Sequence, residues 1–288
     1  MLIRQVALVP EDVDVDAGEV VRVAAALQKQ VTRDFAPIWE IPGTVDGFAK
    51  LEDVPLGYWP VLLVRDVADA AGVHLDDNGQ PYALVEVGDS WSLTASHETL
   101  EMLADPFGNR LVGSASPKPG QGRVEILVEV CDPPEDADFA YQVNGVLVSD
   151  FYTPHYFDPI KASGVRYSYT GAIDEPLRVL DGGYISYEEP VSQHWFQIRM
   201  FPDEISSQVP HVVDLSAQTA FLKIKATTSL RAAVDRVTKP PQYLAGLTAS
   251  AVSETQQGAD LSAQAQVSRA QNLRKELMRL MNPKDGSG

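Results

Sequence analysis

The run Val6-Ala-Leu-Val9 is apolar without interruption, which predicts a short strand. Asp16-Ala-Gly-Glu19 then has the form of a capping box, opening a helix that carries Val20, Ala24, Leu27 and Val31 on one face. Phe35 to Ile41 and Val61 to Arg65 read as further strands on either side of a Gly/Pro/Asp loop. Pro81 to Val87 reads as another, following the turn signal Asp76-Asp-Asn-Gly79. Between Ser92 and Ala104 the period changes: Leu93, Leu100, Leu103 and Ala104 recur at helical spacing, Thr94 or Ser96 can cap, and Asp105-Pro106 ends the helix.

Beyond it, Leu111 to Gln121 reads as a Gly/Ser/Pro loop, Val124 to Val130 as a strand and Asp132 to Asp138 as an acidic turn, with a hairpin from Val143 to Val148 around Asn144-Gly145. After about residue 150 the chain becomes aromatic and loop-rich, and His211 to Pro241 reads as an extended connector punctuated by proline. From Gly246 the composition shifts to Ala, Ser, Gln and Thr, with Leu261, Ala265, Ala270, Leu273, Leu277 and Leu280 marking one amphipathic helix. The expected organisation is an α+β part over residues 1–150, an irregular β- and loop-rich part over 151–245 packed on it, and a helical tail over 246–288.

At 288 residues, with 44% hydrophobic and 22% charged positions, the chain can bury a core without metals or disulfides and is neither fibrous nor wholly disordered. Cys131 is the single cysteine, which excludes an internal disulfide and a multi-cysteine zinc site; its apolar neighbours make it a buried small side chain. The formal charge of -17 argues against nucleic acid as partner and favours cations. The tail holds five basic and four acidic residues, so the excess negative charge lies on the residues before it. No apolar run reaches the roughly 18 residues of a membrane span, and Met1 to Pro10 does not fit a secretory signal. The expected location is cytoplasmic, or exported without a cleavable signal.

Chemistry concentrates in Ser96-His97-Glu98-Thr99-Leu100-Glu101-Met102-Leu103-Ala104-Asp105-Pro106. His97 and Glu101, four apart on a helix, share a face and can bridge one divalent ion. Glu98 projects about 100° round the helix, the relation in which a zinc hydrolase holds a general base beside the ion. Asp105 lies a further turn along, where the helix unwinds, and can swing back as a third ligand; Glu129 and Asp132 are the next candidates.

The pattern Ser96-His-Glu-x-x-Glu-x-x-x-Asp-Pro106, followed by Glu129-Val-Cys-Asp132, resembles a group of bacterial zincin-like metallopeptidases and, distantly, the plant exordium (phosphate-induced) proteins. Asp77-Asn-Gly-Gln-Pro-Tyr82, Val148-Ser-Asp-Phe-Tyr-Thr-Pro154 and Gly182-Gly-Tyr184 are similar to the bacterial group as well, so the likeness covers roughly residues 1–200. It implies a metzincin-like twisted sheet with two main helices, one zinc ion held by His97 and Glu101, and Glu98 as base. A metzincin takes its third ligand ten residues after the first histidine and after a glycine; here those positions hold Phe107 and Ala104. Met200 is the one candidate for the methionine beneath the metal.

Two functional expectations follow. The first is a zinc-dependent hydrolase of peptide bonds acting on a peptide or protein, its site in a cleft between the α/β and aromatic parts, with Tyr152 or Tyr156 as an oxyanion donor. The second is a zincin-fold interaction protein without turnover, whose C-terminal helix packs on the body, a second copy or a partner. His155 and His194 read as packing or surface residues. The turn Asp132 to Asp138 lacks the spacing of a calcium loop, and nucleotide chemistry is unsupported because no phosphate-binding glycine loop occurs.

Overall fold

Val6, Ala7, Leu8 and Val9 are all fully buried, which a strand achieves only when both its faces are covered. The computed structural model, which describes residues 3–67, 70–118, 120–202 and 211–238, places them in β1 (Arg4–Pro10). This strand lies in a five-stranded sheet with β2 (Gly43–Gly47), β3 (Tyr58–Val64), β4 (Gly72–Asp77) and β5 (Gln80–Glu86), in the spatial order β2-β1-β3-β5-β4. Four strands run parallel and β4 pairs antiparallel with β5. Asn78 and Gly79, both at positive φ, turn that hairpin, as the Asp-Asn-Gly signal predicts.

One face of the sheet, with Val6, Leu8, Val61, Leu63, Ala83 and Val85, packs against α1 (Ala17–Lys29) and against Ala95, Leu100 and Leu103 of the later helix over Trp91–Ala104. The other face, with Ala7, Val9, Leu62, Val64 and Leu84, is closed by Val54 and Val67 from connecting segments. Phe35 to Ile41 is not a strand. After α1 a π-helical turn over Gln30–Phe35 leads into α2 (Ala36–Trp39), so the segment continues the helix. The reason lies in a period of four: Val31, Phe35 and Trp39 all face the core.

The helix α3 (Trp91–Ala104) has the expected extent, but neither Thr94 nor Ser96 caps it; Ser90 stands at its N-terminus. The Ser96 hydroxyl instead donates to Gln30 Oε1 and accepts from the Ser149 N–H, while Gln30 Nε2 donates to the Ser149 carbonyl. These bonds tie α3 to the π-turn and to the loop before residue 150.

A second, antiparallel sheet combines β6 (Leu111–Ala115) and β7 (Arg123–Leu127) with later strands, while β8 (Tyr141–Val143) and β9 (Val146–Val148) form the expected Asn144-Gly145 hairpin. With β10 (Tyr184–Glu189), β11 (His194–Arg199) and β12 (His211–Asp214) the order is β12-β11-β10-β7-β6. The loop expected over Leu111 to Gln121 is in its first part the edge strand β6, because Gly113 and Ser114 pair with Glu125 and Val124. Nor is the segment from His211 a connector: after β12 come α4 (Thr219–Lys225) and α5 (Leu230–Asp235). Leu215, Phe221 and Val234 bury against Trp195 and Phe201, enough apolar surface to hold the segment on the body. The tail over 246–288, with its expected helix, lies outside the described residues. Among the described residues no helix is long and apolar enough to cross a membrane. The architecture is mixed α+β.

Candidate metal centre

His97 and Glu101 stand one turn apart on α3, with Nε2 and Oε2 3.4 Å apart. The stretch after β7 brings Asp132 to them, its Oδ1 3.1 Å from His97 Nε2. That stretch is held by its backbone: the Val128 N–H donates to the Arg110 carbonyl, the Cys131 N–H to Glu101 Oε1, and the Tyr184 N–H to the Asp132 carbonyl. Gly183 makes the approach possible, since a Cβ there would lie 2.6 Å from the Asp132 carbonyl oxygen and closer still to that of Pro133. Gly183→Ala should therefore cost about 1–3 kcal/mol in chemical denaturation and push Asp132 out of place; an unchanged denaturation midpoint would show that the loop yields freely.

Four-coordinate zinc with ligand bonds of about 2.0–2.1 Å has its donors about 3.3 Å apart. The 3.1 and 3.4 Å separations at His97 Nε2 fit that geometry. Asp132 Oδ1 is buried and faces the His97 ring at 3.1 Å, an ion pair that a bound ion would replace. His97, Glu101 and Asp132 thus form a group able to hold a metal. Asp105 is not brought into it: its Oδ2 accepts from the Arg110 N–H at 2.7 Å, closing the turn after α3. Glu129 pairs with Arg231 Nη1 at 2.8 Å and is not part of the group around His97.

Arg231 of α5 contributes the positive charge here. Its Nη1 contacts Glu101 Oε2 and lies 3.5 Å from Asp132 Oδ2, while Nε pairs with Asp235 at 2.9 Å. Burial opposes the ionised form of Glu101, but the charges of Arg231 and His97 outweigh it and hold the carboxyl below its ordinary range. Burial likewise opposes an imidazolium at His97, and Glu101 and Asp132 overcome it, so the His97 pKa is raised. Negative charge still predominates, and burial pushes Glu135 up to about 8 and Asp235 up to about 6, with the Asp132 charge adding to both.

A carboxyl raised in the folded state stabilises the fold while it is protonated in both states, and that contribution is lost as the pH rises through the folded value. The metal-free protein should therefore melt at a progressively lower temperature from pH 5 through about 6, where Asp235 titrates, to about 8, where Glu135 does. Glu101, depressed, costs stability only below the ordinary carboxylate range. Melting curves in chelator at pH 5 and pH 8 check this; equal values would mean that these carboxyls ionise unopposed.

His74, on β4, was not legible as a site residue. It is 1% exposed, and its Nε2 lies 3.1 Å from the Asp105 carbonyl oxygen. Its Nδ1 faces Glu98 Oε2 at 3.6 Å and Glu101 Oε2 at 3.8 Å. The available signal was the alternation of β4, which places Gly72 and His74 on the side facing α3; Gly72 packs directly on Glu98. Arg231 had a signal too, its i,i+4 spacing from Asp235.

The expected oxyanion donors are packed otherwise. Tyr152 and Tyr156 are buried and stacked 4.3 Å apart; the Tyr156 hydroxyl donates to the Arg178 carbonyl, and the Tyr152 oxygen accepts from the Glu129 N–H. Cys131 is buried, as its neighbours imply, and His155 and His194 lie exposed beside Asp158 and Asp214. A groove of about 960 Å³ lined by Pro117, Ile160, Arg178, Leu180 and Met200 contains none of the metal-centre residues, so Met200 lines that groove. No family model, curated protein or solved structure matches the chain.

Proposed function

We propose that the chain is a zinc-dependent metallopeptidase of metzincin-like fold that hydrolyses a peptide bond in a peptide or protein. The observation that supports this is the convergence of His97 Nε2, Glu101 Oε2 and Asp132 Oδ1 at ligand spacing, with Glu98 next to His97 on the same helix. Three protein donors leave a fourth position for water or substrate, the pattern of catalytic rather than closed structural sites. A zinc ion held by these residues supplies a Lewis acid for the scissile carbonyl and lowers the pKa of water.

The rest is done by the chain. The Cys131 N–H fixes Glu101 Oε1, and Oε2, which faces His97, is held by the Arg231 guanidinium, with which an ion would share that oxygen. Glu98 Oε2 makes no hydrogen bond within the protein and is the group to take a proton from attacking water and return it to the leaving amine. Arg231 offsets the charge of Glu101 and Asp132 and helps hold the Glu101 carboxyl ionised. Asp105 supports the site through its carbonyl contact with His74.

The test is the metal content of purified, unsupplemented protein by plasma mass spectrometry, beside a His97→Ala/Glu101→Ala variant. Near one equivalent of zinc in the parent and none in the variant is expected. No metal in either, with a melting temperature unmoved by zinc, would sink the reading.

A second reading, a zincin-fold scaffold without turnover that assembles through its C-terminal helix, draws support from burial. Glu98 and Glu101 are 3% and 0% exposed, and Arg231 of α5 contacts Glu101. If zinc is bound but Glu98→Gln changes no hydrolysis, and deletion of residues 246–288 lowers the number of copies per particle seen by light scattering, this second reading holds.

A further inference from the structure

The groove of about 960 Å³ beside β6 and β11 has a floor and a rim of different chemistry. Ile160, Leu177, Leu180, Ile198 and Met200 give it apolar side chains, and Ile160 is left 74% exposed. Leu177 is also the one apolar side chain among the six non-glycine residues described at positive φ, and a leucine holds a φ of 58° at a conformational cost. Strain of that kind collects at surfaces that bind. On the rim, Lys161 and Arg178 are both neutralised by Asp174, and Asp158 pairs with His155. Glu175 and Asp181, by contrast, have no ion pair among the described residues. An apolar floor under a negative rim suits an amphipathic segment whose polar side is basic.

This chain carries such a segment. All five basic residues of the tail fall between Arg269 and Lys284, where Glu276 is the single acid. Ala270, Leu273, Leu277 and Leu280 follow the spacing by which a helix lays its apolar face into a groove. The last described residue is close enough to deliver it. Gln197 Nε2 of β11 donates to the Thr238 hydroxyl at 2.8 Å, and the next residue of that strand, Ile198, lies on the opposite face, in the groove. From Thr238 to Ala270 the chain reaches on the order of 100 Å when extended, several times the roughly 10 Å depth of a sheet layer.

We propose that residues 267–281 form an amphipathic helix that docks in this groove of its own chain, with Leu273, Leu277 and Leu280 over Ile160 and Met200 and the basic side chains against Glu175 and Asp181. The docking is independent of the hydrolase reading, and it differs from assembly through the tail in that the segment covers its own body. Tethering decides between the two. A linked segment competes at an effective concentration on the order of millimolar, which a second copy in micromolar solution does not match.

The experiment is carbodiimide coupling of carboxylates to amines in an equal mixture of heavy-isotope-labelled and unlabelled full chain, read by peptide mass spectrometry, beside hydrogen exchange over residues 158–162. Lys275 or Lys284 is expected to link to Glu175 or Asp181 within chains of one label. Exchange over 158–162 should be about tenfold faster in Leu273→Asp/Leu277→Asp, where docking is lost. These two substitutions lie in the tail and leave the body as it is. Ile160→Glu, at a position exposed enough to keep the body folded, should lose the links. Links of mixed label would put a second copy's segment in the groove and overturn docking on the same chain. No links, links only to carboxylates away from the groove, or equal exchange in parent and tail variant would overturn the groove as the seat. None of these outcomes depends on zinc content, so the docking and the hydrolase reading fail separately.

Discussion

Glu98→Gln is expected to lower hydrolysis of a labelled protein substrate by about 10²–10⁴-fold, the usual contribution of a positioned general base, while one equivalent of zinc stays bound. The amide is nearly the same size as the carboxylate, so the packing of Glu98 against Gly72 survives, and only the capacity to accept a proton is lost. An ion held by His97, Glu101 and Asp132 would be untouched, because Glu98 supplies no donor to that group. Turnover and metal content measured on the same preparation separate the outcomes. Unchanged turnover would assign the base elsewhere, and loss of zinc with turnover would make Glu98 a ligand of that ion.

Arg231→Met should produce the largest loss of stability of any single change in the site, about 3–5 kcal/mol in metal-free protein, as when one partner of a buried ion pair is removed. The guanidinium is 4% exposed and contacts Glu101, Glu129, Asp132 and Asp235, all of which would lose their counter-charge together. Methionine fills much of the same volume, so the effect is electrostatic rather than a cavity. Zinc should recover part of the loss, since an ion at His97, Glu101 and Asp132 supplies positive charge to two of the same carboxylates. Denaturation in chelator and in zinc measures both, and a chelator midpoint equal to that of the parent would remove Arg231 from the energetics of the site.

Strands β1, β3 and β5 and the two long helices were legible from apolar runs and helical spacing, whereas the parallel strand β2 lies in what reads as a Gly/Pro/Asp loop. The Phe35 to Ile41 run misled because a short apolar stretch suits a strand or a buried helix equally well. His97, Glu98 and Glu101 were legible because helix spacing alone brings them together. Asp132 was one of three open candidates for the third ligand, and what separates it from Asp105 is non-local: Asp105 is drawn off by the Arg110 N–H, while Gly183 lets the Asp132 loop come close. The places of His74 and Arg231 are likewise set by pairings across the fold that no local window contains.

Those pairings also fix when the site comes into being. Glu101 and Arg231 are 130 positions apart, and His74, α3, Asp132 and α5 reach the centre from four separate stretches of chain. Contacts of such long range close late, after the loops between them have already been ordered. A growing or partly folded chain therefore carries the His97-Glu98-Glu101 helix without the means to use it. On the hydrolase reading, competence requires α5 to be docked, since only then does Arg231 reach Glu101.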